Sequence, residues 1–181
     1  MPRILILYGT TDGHTAKIAE ALAKTLREEG AEVSVVEAGG RASVPRPEDY
    51  EGVIVAASVH LSAYQRPVRR WVTSHATALN GRTSAFLSVC LGVLEHRAET
   101  DRELAAIIAQ FLGRTGWRPT LAHTVAGALP YSRYNWPKRW VMRRIASKAG
   151  VDTDWRRDYE YTDWEDLKAL GREFLGLVTP R

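Results

Sequence analysis

Thr10, Thr11, Asp12, Gly13, His14 and Thr15 follow directly on the apolar run Ile4-Leu5-Ile6-Leu7-Tyr8 and precede an amphipathic stretch. Residues of these types in that order suit the binding of an anion. The threonine hydroxyls, a glycine that permits unusual backbone, and the unpaired N–H groups and positive dipole end of a following helix converge on one point. No lysine accompanies them. Neither Gly-x-x-x-x-Gly-Lys-Ser/Thr nor Gly-x-Gly-x-x-Gly occurs, which argues against triphosphate hydrolysis and the usual dinucleotide mode. A hydroxyl-rich T-x-D-G-x-T turn suits a monophosphate, such as that of flavin mononucleotide (FMN). The same residues equally suit a plain helix cap, with Asp12 turned toward backbone N–H groups, and the turn alone leaves both readings open.

Two further segments could complete a site. Ser58, Val59, His60, Leu61, Ser62, Ala63 and Tyr64 form a small polar stretch with two aromatic rings. Ser88, Val89, Cys90, Leu91, Gly92 and Val93 are small and apolar, with a glycine for flexibility. Together they would clamp a planar ring system, with backbone amides on its polar edge. The chemistry would then belong to the ring: hydride transfer by a flavin needs no protein nucleophile, so His14, His60 and Cys90 are assigned no catalytic role and the catalytic side chains stay unknown. Cys90 reads as a small apolar filler at the end of a buried strand. As the only cysteine it excludes an intrachain disulfide, and the five histidines lack ligand spacing, so no metal site is expected.

These loops need a scaffold, and the periodicity supplies one. Apolar strand candidates lie at Arg3 to Tyr8, Glu32 to Glu37, Gly52 to Ala57, Thr83 to Cys90 and Leu121 to Gly127. Helical stripes lie between them: Ile18, Ala19, Leu22, Ala23 and Leu26 within Thr15 to Glu29; Val68, Trp71, Val72, His75 and Leu79 within Pro67 to Leu79; Leu104, Ile107, Ile108, Phe111 and Leu112 within Asp101 to Gly113. The second connection, Gly39 to Asp49, has room for only a short helix. Alternation of strand and helix predicts an α/β fold, a doubly wound five-stranded parallel sheet with helices on both faces, for which the order 2-1-3-4-5 is expected. Ligands of such sheets collect at the carboxyl ends of the strands, near the switch between the first and third, where the three loops meet. A single domain over 1–181 is expected, with a basic helical insertion at about 130–160 and a closing helix at about 162–178, opened by a capping box of Thr162 and Glu165.

Composition narrows the class further. At 45% apolar residues with mixed charge the chain is of soluble globular type, and no apolar run approaches a bilayer span. The N-terminus enters a strand without a signal peptide, so a cytoplasmic protein is expected. Charge is uneven: Arg114 to Arg157 carries ten basic and two acidic residues against a net charge of +4 overall. The helix candidate within it, Trp136 to Lys148, has Lys138, Arg139, Arg143, Arg144 and Lys148 around Trp140, Val141 and Ile145. It suits either peripheral contact with an anionic membrane or packing on the sheet edge. Nucleic acid is not expected as a partner, because these Arg and Trp residues do not form a base-stacking platform. Oligomeric state is not legible.

Several segments taken in order resemble one family. They are T-x-D-G-H-T at Thr10 to Thr15, A-S-V-H at Ala57 to His60, S-A-F-L-S-V at Ser84 to Val89, W-R-P at Trp117 to Pro119, A-G-A-L-P-Y-S-R-Y-N-W at Ala126 to Trp136, and Y-T-D-W-E at Tyr161 to Glu165. The chain is similar to flavodoxins and, within them, to the menaquinone-dependent protoporphyrinogen dehydrogenases of haem biosynthesis. The resemblance implies bound FMN, held by Thr10 to Thr15, Ser58 to Leu61 and Ser88 to Gly92. It also implies six-electron oxidation of protoporphyrinogen IX to protoporphyrin IX with a quinone as acceptor. Tyr131, Tyr134 and Trp136 would then suit a porphyrinogen or quinone face, and Arg133 a propionate. One stretch departs from the family: Leu91 to Asp101 carries Glu95, Glu99 and Asp101 where the family usually has a basic loop. Alternatives from the residues alone are a flavodoxin-like electron carrier docking on a protein, and an NAD(P)H-quinone reductase, for which no nicotinamide motif is evident.

Overall fold

The structure, a computed structural model, describes residues 1–60, 62–91, 98–129, 140, 147, 154 and 156–178. Strand β1 (Arg3–Gly9) leads into helix α1 (His14–Glu28) and returns as β2 (Glu32–Glu37). A single 3-10 turn (Pro47–Asp49) is all that the Pro- and Gly-rich second connection forms before β3 (Gly52–Ser58). Then follow α2 (Arg66–Asn80), β4 (Thr83–Cys90), α3 (Ala98–Thr115), β5 (Leu121–Ala126), two short strands β6 (Ala128–Leu129) and β7 (Tyr159–Glu160), and α4 (Trp164–Leu177).

The five long strands form one parallel sheet in the order β2-β1-β3-β4-β5. Strands buried on both faces must be apolar at every position, and β1 and β3 are nearly so. Because side chains alternate across a strand, the sheet divides two cores. Ile4, Ile6, Ile54 and Leu87 pack under α1 and α4 with Ile18, Leu22, Leu26, Leu167 and Phe174. Leu5, Leu7, Val53, Val55 and Phe86 pack under α2 and α3 with Val68, Val72, Leu79, Phe111 and Trp117. Trp117 is almost wholly buried, and its indole N–H donates to Ser84 Oγ at 3.0 Å. The W-R-P motif therefore serves the core.

Three features depart from the sequence expectation. Helix α3 begins at Ala98, a turn early, on Glu99 and Asp101, which favour a helix N-terminus. The cap of α4 is Asp163, whose carboxylate accepts from the N–H groups of Glu165 and Asp166, both at 3.0 Å; Thr162 does not cap, because its hydroxyl is used elsewhere. The antiparallel pair β6–β7 was not foreseen, since two-residue strands show no period. The pair brings Ala128 beside Glu160 and Leu129 beside Tyr159. The expected basic helix, Trp136 to Lys148, lies outside the described residues apart from Trp140 and Ser147.

The register brings the strand ends level. Gly9 pairs with Ala57, Ser58 with Val89, and Cys90 with Ala126, so the loops after β1, β3, β4 and β5 leave from one edge.

Candidate functional site

The turn after β1 is closed by one hydrogen bond, from the Gly13 N–H to Thr10 Oγ1 at 2.9 Å. Gly13 is the N-cap of α1, with φ 87°, a left-handed conformation that costs glycine little. The capping position itself falls on Gly13, which has no side chain, and Asp12 precedes it, half-buried. No acidic residue stands in the first turn. The N–H groups of that turn have no intrahelical acceptor, and with the helix dipole they favour negative charge. Thr11 is exposed at the mouth, whereas Thr15 is buried.

Loop and helix are joined through Gln65, a residue the sequence analysis did not single out. It is the N-cap of α2, and its Nε2 donates to Ser58 Oγ at 2.6 Å and to Thr11 Oγ1 at 3.2 Å. Gly9 makes room for it. A Cβ at Gly9 would lie 2.5 Å from Val68 Cγ2 and 3.0 Å from Gln65 Oε1. The available signal was an amide placed just before Arg-Pro at a helix start.

After β3, the N–H of His60 donates to the Ala63 carbonyl at 2.8 Å and the N–H of Ala63 returns to the His60 carbonyl at 3.1 Å, a tight turn that places Ser62 at φ 58°. His60 is exposed at its edge. Tyr64, expected as a second ring of the clamp, instead turns into the core between Phe86 and Phe111, edge to face at 5.0 and 4.9 Å. Its hydroxyl pairs with that of Ser88 at 2.8 Å, and burial pushes its pKa up to about 12. Ser88 is thus withdrawn from the mouth along with it. Val89 belongs to the core under α1, and its carbonyl accepts from the Val59 N–H at 2.9 Å. Cys90 is buried at the end of β4, with its carbonyl holding the Gly127 N–H at 3.0 Å. Ser88, Val89 and Cys90 are therefore buried at the carboxyl end of β4 rather than exposed in a loop. Leu61, Gly92, Tyr131, Arg133, Tyr134 and Trp136 lie outside the described residues.

The His14 side chain is bound to Thr162. Thr162 donates its only proton to the Ala126 carbonyl at 2.7 Å, so at 2.7 Å from His14 Nε2 it must accept, which fixes the Nε2–H tautomer. Burial lowers the imidazole pKa; Glu160, 3.9 Å from Nδ1, opposes and Lys17 adds to the fall. The His14 and Trp164 rings lie edge to face with centroids 6.2 Å apart, and Lys17 pairs with Glu160 and sits over Trp164. One chain of hydrogen bonds thus ties the turn after β1 to the end of β5 and to the Tyr161 to Glu165 motif. Beside it, Asp12, Gly13, His14, Lys17, Ala128 and Glu160 help to line a cleft of about 360 Å³. Among the described residues no cluster could hold a metal ion, and no helix is long and apolar enough to cross a membrane.

The geometry agrees with what known proteins share with this chain. The flavodoxin domain model matches residues 5–156. The protoporphyrinogen IX dehydrogenase (quinone) of Escherichia coli K12 is 36% identical over 176 residues, covering 97% of this chain and 96% of that protein. The protein of the same name from Leishmania major is 32% identical, covering 99% of this chain and 79% of that one. Among solved structures, oxidised flavodoxin 1 from Bacillus cereus superposes with a TM-score of 0.59 at 15% identity, covering 98% of this chain and 99% of that one. The chain therefore belongs to the flavodoxin domain family and, within it, to the family of protoporphyrinogen IX dehydrogenases (quinone).

Proposed function

We propose that the chain binds FMN, with its phosphate at Thr10 to Thr15 and its ring beside Ser58 to Leu61 and the start of the loop at Leu91, and with it oxidises protoporphyrinogen IX to protoporphyrin IX, a quinone taking the electrons. The observation that carries the reading is the start of α1 at Gly13, an N-cap without a side chain, with the Thr10 hydroxyl on its N–H and no acidic residue in the first turn. A phosphate fits that donor set, and the full-length relatives supply the substrate class. FMN, when bound, would supply the two-electron transfer chemistry between porphyrinogen and quinone. The residues of this chain bind and orient: the turn's N–H groups and Thr10 and Thr11 hold the phosphate, and the His60 to Ala63 turn borders the ring. No nucleophile is asked of Cys90, and His14, held by Thr162, braces the turn.

The substrate carries two carboxylates, and the acidic composition of Leu91 to Asp101 does not attract them. Arg66, Arg69 and Arg70 do. They are exposed in the first two turns of α2, immediately after the ring-side turn, with no acidic residue in the first turn. Cations are disfavoured at that helix end, and these three have no ion-pair partner among the described residues. They form the cationic rim of the site. A quinone is lipid-soluble, so peripheral contact with an anionic membrane through the basic residues 138–148 accompanies the proposal. Binding to anionic vesicles that Arg143, Arg144 and Lys148 do not affect overturns that part.

The flavin content of the purified chain tests the reading. Protein that is yellow as isolated, or becomes so on reconstitution with FMN, supports it. Colourless protein that takes up no FMN overturns it.

A further inference from the structure

We infer that Gln65 is a positioning residue that aims two hydroxyls of the site, those of Thr11 and Ser58, outward as hydrogen-bond donors. The inference rests on the FMN reading and adds to it a residue outside the three loops.

Gln65 Nε2 lies 2.6 Å from Ser58 Oγ and 3.2 Å from Thr11 Oγ1, and its two N–H groups serve one hydroxyl each. A hydroxyl has a single proton. By accepting from the amide, each is left to direct that proton away from Gln65, toward the mouth. Neither hydroxyl has another partner among the described residues. The amide cannot serve equally well the other way round. Its Oε1 is buried without a partner beside Gly9, and an NH2 group there would strand two donors where the carbonyl strands only an acceptor. The buried place of Oε1 beside Gly9 therefore sets the polarity of the mouth, and outward donors suit ligand groups that only accept. Thr11, beside the start of α1, is placed for a phosphate oxygen. Ser58, at the end of β3, is placed for an oxygen of the sugar chain or ring.

Titrations of the apoprotein with FMN and with riboflavin, read by flavin fluorescence, test this. Wild type binding FMN establishes the parent reading; wild type binding neither flavin overturns both. Gln65→Met, uncharged and similar in length, is expected to weaken FMN by roughly 5- to 10-fold and riboflavin by clearly less, because only FMN has the phosphate that Thr11 serves. In a Thr11→Val background the same substitution should leave the FMN-to-riboflavin ratio unchanged. Gln65→Glu, closer to glutamine in shape, should lose more FMN affinity than Gln65→Met, because a carboxylate accepts from both hydroxyls and turns their lone pairs to the ligand. Equal losses for both flavins, a ratio change that persists with Val at 11, or Gln65→Glu outperforming Gln65→Met would each overturn the inference and leave Gln65 as packing. Thermal unfolding of each variant without flavin confirms that the comparison is between folded proteins.

Discussion

Thr162→Val removes one oxygen and leaves two polar groups stranded. Valine keeps the shape of threonine, so no cavity forms, but the Nε2–H of His14 loses its acceptor and the Ala126 carbonyl loses its donor. Thr162 is 8% exposed and the His14 side chain 11%, so water reaches neither group well. Each stranded group costs about 1–3 kcal/mol when fully buried; with some access left, a total loss of about 3 kcal/mol is expected. At about 2–4 °C per kcal/mol for a chain of this size, the melting temperature should fall by ~6–12 °C. Urea unfolding of apoprotein gives the free energy directly, and an unchanged slope against urea shows that the denatured state is not the cause. Thr162→Ser, which keeps the oxygen, should recover most of the loss. In a cycle with His14→Ala the two losses should fall short of additivity by about 1 kcal/mol, since both remove one bond. A Thr162→Val protein within about 0.5 kcal/mol of wild type would refute the chain of bonds, and with it the tie between the anion turn and the Tyr161 to Glu165 motif.

The same histidine gives a pH signature: its pKa in the fold lies below the ordinary 6.5, so the unfolded chain binds the proton more readily. The stability His14 contributes is thus complete above that value and lost as pH falls through the folded pKa, and His14→Gln should flatten that acid limb in urea midpoints taken across the range. Tyr64 has the opposite sign. Its phenol is raised to about 12 from 10, so its contribution is lost as pH rises from 10 through that value; Tyr64→Phe should cost about 1 kcal/mol at neutral pH and remove this alkaline loss from the unfolding profile. Gly13→Ala forces a side chain into the left-handed region and should cost about 1–2 kcal/mol, with weaker FMN uptake measured by fluorescence. Reversing the rim with Arg69→Glu and Arg70→Glu should raise KM for protoporphyrinogen IX and leave the uncharged dimethyl ester almost unaffected; equal effects on both would show that these arginines do not meet the carboxylates.

The scaffold was legible because its signals are local and repeated. The strands β2 and β4 have the bounds their apolar runs predict, and the stripe Ile18, Leu22, Leu26 faces the core as its period requires. The parallel sheet, covered on both faces, followed from alternation and handedness, and its order is the one expected. What the sequence concealed depends on which way single side chains turn. Tyr64 looked like a ring of the clamp, but a pocket between Phe86 and Phe111 with a hydroxyl partner at Ser88 is a better place for a large phenol than a loop in water. Thr162 had the spacing of a capping box, yet Asp163 caps better and releases Thr162 to bridge elements far apart in the chain. Gln65 belongs to no motif, and its role arises only when β1, β3 and α2 are brought together.

Anaerobic turnover of the FMN-loaded protein tests the central claim most directly. Protoporphyrinogen IX is mixed with a menaquinone analogue, and porphyrin fluorescence and quinone absorbance are followed together against an enzyme-free control. Six-electron oxidation predicts fluorescence that grows in proportion to enzyme, with three quinones reduced for each porphyrin formed. Porphyrin that appears no faster than in the control, from protein that carries its full complement of flavin, would contradict it.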